Sequence, residues 1–198
     1  ETEVNALDVL NDKKIFVTGI FANVLREKYL KNNSIVVKNE SDTFFYNLNK
    51  SENLNKEFLD QLFVDKHLIN KFYTPVSLDD LPFPDWKNYT KIYPLRNNFF
   101  SLNEKIAIPL LGTRGCPYSC FNYCTYPLQQ GRKVRARSVS NIINEIKYWK
   151  NTLGTKKFVF RDPVFSINKK HTVEFCEEVI KQKLDITFMV ETHLNNLD

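Results

Sequence analysis

Short apolar, β-branched runs separated by stretches of helical spacing set the pattern of this chain. Lys14 to Gly19 (KIFVTG) and Ser34 to Asn39 (SIVVKN) read as strands, and the ANVLREKYL between them as a helix with Val24, Leu25 and Leu30 on one side. Asp42 to Phe63 is less regular, with aromatics at Phe44, Phe45 and Tyr46 and a helix expected over about Asn53 to Phe63. Pro75, Pro82, Pro84 and Pro94 then punctuate a stretch where fixed φ and missing amide donors disfavour regular structure. Leu81, Phe83 and Trp86 are too apolar to stand in water, so this stretch reads as an ordered linker.

Past the linker the alternation is cleaner. Ile106 to Leu111 is a strand, Cys116 to Pro127 a loop, and Val139 to Leu153 a helix with Ile142, Ile146, Trp149 and Leu153 on one face. Ser138 is its expected N-cap and Gly154 its C-terminal stop. Lys157 to Phe160 is a second strand, Lys169 to Lys183 a helix striped by Val173, Cys176 and Ile180, and Ile186 to Val190 a third strand. Strands alternating with helices of this length imply right-handed crossovers and a parallel sheet, whose ligands bind beyond the strand C-termini. The cysteine loop, Arg161 to Phe165, and Glu191 to His193 all fall at that rim.

Composition narrows the class. With 198 residues, 42% apolar and 26% charged, the chain is ordinary globular material rather than disordered. No run approaches the roughly 20 apolar residues of a spanning helix, and ETEVNALDVL has no signal-peptide character, so a cytoplasmic protein without a membrane span is expected. It opens on Glu1, its single Met is Met189, and HLNNLD follows directly on a strand, which reads as a piece cut from a longer protein. The net charge is +5, and Gln129 to Lys150 sets Arg132, Lys133, Arg135, Arg137, Lys147 and Lys150 against Glu145. Such a stretch could hold a phosphate backbone or an anionic cofactor; a solvated face is the commoner explanation and is preferred.

The cysteines carry the sharpest chemistry. Cys116, Cys120 and Cys124 cluster, whereas Cys176 follows the apolar phase of its helix and reads as core. Clustering in such a chain favours metal over a disulfide framework. Three thiolates suit a zinc that takes a fourth ligand or water, or an iron–sulfur cluster with one iron left open. Three core cysteines on one helix face are the blander alternative, made less attractive by Gly115, Pro117 and Pro127. His67 and His171 have no clustered partners and are expected to be solvated.

The run LLGTRGCPYSCFNYCTYPLQQGRKVRARS resembles the cluster loop of radical S-adenosylmethionine enzymes, in particular those with a cobalamin-binding domain before the barrel. LDDLPFPDW is similar to their interdomain bridge, and VTGIFANVLREKYLKNNSIVVKNESDTF to the last part of their cobalamin domain. The spacing here is Cys-x3-Cys-x3-Cys, one residue longer in its second interval than the family's, with matching flanks on both sides. The resemblance implies an α/β chain: residues 1–74 the C-terminal part of a Rossmann-like cobalamin-binding domain, 75–103 a Pro/aromatic linker, and 104–198 the first strand–helix units of a partial TIM-type barrel. It further implies that Cys116, Cys120 and Cys124 hold a 4Fe-4S cluster whose open iron chelates S-adenosylmethionine, with Tyr123 near the adenine. The reduced cluster would cleave that cofactor to a 5'-deoxyadenosyl radical. Asp162, by carboxylate or backbone carbonyl, would serve the methionine amino group, with helix capping the ordinary alternative for it. Glu191 and His193 could face the cavity, although a loop salt bridge is the blander reading of Glu191. Thr18 and Gly19, at a strand's C-terminal end, are the candidates for contact with cobalamin, or Gly19 merely closes a turn.

The function implied is cobalamin-dependent methylation or other modification of an unreactive carbon. Its partners would be a small molecule, natural product or lipid as substrate and an electron donor such as ferredoxin or flavodoxin. A transfer-RNA-modifying radical enzyme and a zinc-stabilised nucleic-acid-binding module are the alternatives. Neither the substrate nor a catalytic side chain is named by the sequence.

Overall fold

The computed structural model describes residues 2–10, 12–51, 54–92, 107–120 and 123–197. Residues 93–103 of the expected linker, Asn53, Ile106, Phe121 and Asn122 lie outside them. The chain is α/β with parallel and antiparallel pairing. It divides into two compact units, Glu1–Ser77 with Ser119–Gly131, and Leu78–Tyr118 with Arg132–Asp198. No helix among the described residues is long and apolar enough to cross a membrane.

In the first unit, helix α1 (Thr2–Val9) precedes strand β1 (Ile15–Val17), the short helices α2 (Ile20–Val24) and α3 (Arg26–Tyr29), and strand β2 (Ser34–Val36). The two strands pair in parallel, Phe16 opposite Ile35. Side chains of β2 and its extension alternate between two covered faces. Ile35 and Val37 join Phe44, Leu62, Phe63, Ile69 and Phe72, whereas Val36 joins Leu7, Ala22 and Tyr29. That is why the run reads as continuously apolar. The helix expected between the strands breaks at Leu25, whose φ of −107° and ψ of 39° are not helical. The break shifts the phase, so Ala22 and Tyr29 are buried and Val24, Leu25 and Leu30 are exposed. The ambiguous aromatic segment forms α4 (Ser41–Asn49), followed by α5 (Lys56–Val64), which is capped by the Asn55 side chain.

In the second unit, α6 (Trp86–Ile92) leads into the described residues of a sheet ordered β3 (Ala107–Leu110), β6 (Lys157–Phe160), β7 (Thr187–Met189). All pairs are parallel, with Ile108 opposite Phe158 and Phe158 opposite Phe188. A two-residue antiparallel ribbon that the hydrophobic pattern did not announce joins β4 (Thr113–Arg114) to β5 (Arg135–Ala136). In sequence between those strands, and within the first unit, a single-turn helix α7 (Tyr126–Gln130) begins at the end of the loop expected over Cys116 to Pro127. Helix α8 (Val139–Leu153) begins where Ser138 accepts a bond from the Asn141 amide and stops at Gly154 in the left-handed region. Its expected stripe is buried at Ile142, Ile146 and Trp149. Helix α9 (Lys169–Lys181) turns a different face inward: Phe175 is fully buried with Cys176 and Val179 beside it, and Val173 and Ile180 are exposed. Phe175 decides the phase because Phe160, Phe165 and Phe188 surround it edge-on.

Candidate functional site at the strand exits

The C-terminal ends of β3, β6 and β7 meet at one rim of the second unit. The amide of Arg161 donates to the carbonyl of Leu110 at 2.8 Å, and that of Phe165 to Glu191 at 2.9 Å. The Ser166 and Thr192 hydroxyls bond to each other. Arg161 and Glu191 form an ion pair at 3.0 Å with both side chains largely in water, where such pairs contribute little.

Asp162, 1% exposed, turns its carboxylate inward. Oδ1 accepts the amide of Gly112 and Oδ2 the hydroxyl of Thr113, each at 2.7 Å. Burial pushes its pKa up to about 6, against the opposing pull of the Gly112 amide, the Thr113 hydroxyl and amide, and the charge of His171. Helix capping falls to other residues, Ser138 for α8 and Asn168 for α9.

Arg137, expected in a solvated basic stretch, is instead an internal strut. Its guanidinium reaches the buried carboxylate of Glu145 at 2.5 Å, Asn141 Oδ1 at 2.7 Å and the Leu111 carbonyl at 3.0 Å, and it lies over the ring of Phe83. Glu145 also accepts from the Trp149 indole at 3.3 Å. The Arg137 amide donates to Gly112, and its carbonyl accepts from Nε2 of His171 at 2.8 Å, so His171 is engaged rather than solvated. Residues of the stretch expected as a linker lie in the second unit and help to hold this corner. Asp79 accepts from the Ser138 amide at 2.8 Å, and Phe83 and Trp86 pack on the core of the unit.

Cys116 is buried and belongs to the second unit; Cys120 and Cys124 are half-buried and belong to the first. All four cysteines are free thiols. Among the described residues, no three His, Cys, Asp or Glu side chains are gathered as a preformed metal site. The donor chemistry nevertheless fits a thiolate-bound metal: Cys116, Cys120 and Cys124 are unbridged thiols, and the described residues 115–120 and 123–125 around them are not helical. Tyr123 is 75% exposed, with its amide donating to the carbonyl of Cys120. In the first unit Gly19 has φ +106°, ψ 172°, a conformation essentially restricted to glycine, with open space where a Cβ would stand. Its neighbour Thr18 is exposed.

Sequence reasoning missed the stack between Tyr118 and His193, whose rings lie 4.5 Å apart at 20°, and the 2.6 Å bond from the Tyr118 hydroxyl to Asn196 Oδ1. Nor did it mark Gly112 as the partner of Asp162; a Gly directly after a buried strand was the available clue.

No family model matches the chain. It is 30% identical over 197 aligned residues to an anaerobic magnesium-protoporphyrin IX monomethyl ester cyclase of Cereibacter sphaeroides, covering 93% of this chain and 30% of that protein. It is 29% identical over 89 residues to an uncharacterised methyltransferase of Pyrococcus horikoshii, covering 45% and 19% of the two chains. With the bacteriochlorophyllide d C-12(1)-methyltransferase of Chlorobaculum tepidum, identity is 36% over 90 residues, covering 41% and 20%. The chain thus spans 19–30% of the length of these curated relatives. A solved structure of the radical S-adenosylmethionine methyltransferase TsrM from Kitasatospora setae, with cobalamin and a 4Fe-4S cluster bound, aligns at 19% identity and a TM-score of 0.36 over 39% of this chain and 14% of that one. No shared fold follows from a score of that size.

Proposed function

We propose that the chain is part of a radical S-adenosylmethionine enzyme, of the kind that couples a cobalamin-binding domain to a partial barrel, and that it modifies an unreactive carbon, most simply by methylation. The observation that carries this reading is the cysteine loop itself: RGCPYSC and a third cysteine, leaving the first strand of a parallel sheet and running into a basic Arg-Ser entry to the next helix. Relatives named as methyltransferases and as a magnesium-protoporphyrin IX monomethyl ester cyclase support it.

Cys116, Cys120 and Cys124 would hold a 4Fe-4S cluster, which when bound supplies the electron that cleaves S-adenosylmethionine. The protein's part is to bind and orient that cofactor. Tyr123, exposed beside Cys124, is available to the adenine. The Asp162 carboxylate is committed to Gly112 and Thr113, so its backbone carbonyl is the group left for the methionine amino group. Glu191 would reach the cofactor by leaving Arg161. Thr18 and Gly19 would lie against cobalamin, where the missing Cβ of Gly19 permits close approach. A carrier such as ferredoxin or flavodoxin would deliver the electron. The nucleic-acid alternatives lose one of their supporting bases, since Arg137 is spent on Glu145.

Anaerobic reconstitution of the full-length protein tests the assignment. Iron and sulfide in equal amounts with a broad brown absorbance are expected, lost in Cys116→Ala, Cys120→Ala and Cys124→Ala and kept in Cys176→Ala. Iron retained after Cys124→Ala would remove the third ligand, and colourless zinc would refute the radical reading. Corrinoid that stays bound through desalting is expected; a cluster-containing protein without it would leave a radical enzyme that does not use cobalamin.

A further inference from the structure

We infer that Asp162 is a positioning residue for Cys116, and that Tyr118, stacked on His193, is the second hold on the same loop. The functional meaning rests on Cys116 being a cluster ligand, as proposed above; the geometry does not depend on it.

Cys116 is 5% exposed, and it lies between two anchored points. Upstream, Asp162 grips Gly112 and Thr113, the second and third residues past β3. The approach at 112 is close: a Cβ there would sit 3.1 Å from Asp162 Oδ2 and 3.2 Å from Ile142 Cδ1, so the two side chains would have to give way by a few tenths of an ångström. Thr113 and Arg114 then pair with Ala136 and Arg135, and a Cβ at Gly115 would fall 2.1 Å from the Lys133 carbonyl oxygen. Every residue from 112 to 115 is therefore fixed by a partner before Cys116 is reached. Downstream, the ring of Tyr118 lies on His193 and its hydroxyl bonds Asn196. His193 is itself oriented by the Asn195 amide, which donates to Nδ1 at 3.2 Å. The two holds come from the exits of β6 and β7, neighbouring strands of one sheet. Removing the Asp162 carboxylate leaves the Gly112 amide buried without an acceptor, which frees the start of the loop.

The test uses reduced, metal-free, full-length protein pulsed anaerobically with iodoacetamide, each cysteine being read by peptide mass spectrometry. Asp162→Ala is expected to speed alkylation of Cys116 about tenfold through easier local opening, with Cys176, packed in the same unit, unchanged. Asp162→Asn should restore protection, since its amide oxygen accepts from Gly112 while its NH₂ donates to the Thr113 hydroxyl oxygen. Tyr118→Leu should expose Cys116 without disturbing Cys176. Unchanged Cys116 rates in Asp162→Ala and Tyr118→Leu overturn the inference. So does a parallel rise at Cys176, which would mean general loosening. Iron is measured separately after reconstitution. Its absence from the wild type defeats the cluster reading and leaves the alkylation result standing, and the reverse outcome defeats only the positioning role.

Discussion

Replacing Asp162 by Asn keeps the shape of the latch and removes its titration. Burial raises the carboxyl pKa from its ordinary 3.8 to about 6, so folding favours the protonated form. The stability it contributes is complete below pH 3.8 and is lost as pH rises through about 6, after which the curve is flat. A shift of that size corresponds to roughly 3 kcal/mol in all, of which about 1.4 kcal/mol falls between pH 5 and pH 7.5. His171, whose charge opposes the rise, is present in both proteins. Both tryptophans of these 198 residues, Trp86 and Trp149, belong to the second unit, so the difference in their fluorescence between the two proteins during urea unfolding reports on the unit that holds Asp162. The expected result is that Asp162→Asn gains on the wild type by about 1.4 kcal/mol as the buffer moves from pH 5 to pH 7.5. A difference between the two proteins that does not change with pH would show that the carboxyl titrates normally and is not desolvated in the folded protein.

Two further substitutions probe the same corner. Glu145→Ala strands the Arg137 guanidinium and the Trp149 indole, and should cost about 3–5 kcal/mol in urea unfolding; a cost near that of a surface substitution would mean that the pair is solvated. Gly115→Ala forces a side chain into a left-handed conformation and against the Lys133 carbonyl. It should cost about 1–3 kcal/mol from the backbone alone and speed Cys116 alkylation, while an unaltered rate would show that the ribbon does not govern the loop.

Much of the second unit was legible because its elements end on local chemistry. Ser138 and Gly154 mark α8 by themselves, and Lys157 to Phe160 is a β-rich run between a helix stop and a polar loop. The parallel pairing followed from alternation alone. Where several apolar residues competed for burial, the pattern misled: Phe175 took the inward face of α9 from Val173 and Ile180, and the break at Leu25 rotated the segment between β1 and β2. The site divided in the same way. Its cysteines were visible as a local cluster, but the group Asp162 binds is set by tertiary approach, and Arg137 looked like any base in a charged run until Glu145 came to face it.

The two holds on the cysteine loop also order events in time during synthesis. Asp162 follows Gly112 by 50 residues, and Asn196 follows Tyr118 by 78. At roughly 5–20 residues per second, the ribosome adds the second hold about 4–16 s after it makes Tyr118. For that interval a nascent chain carries Cys116 without its downstream hold, restrained only from the Gly112 side once Asp162 has been made. The loop is held from both sides only when the exit of β7 has emerged and docked.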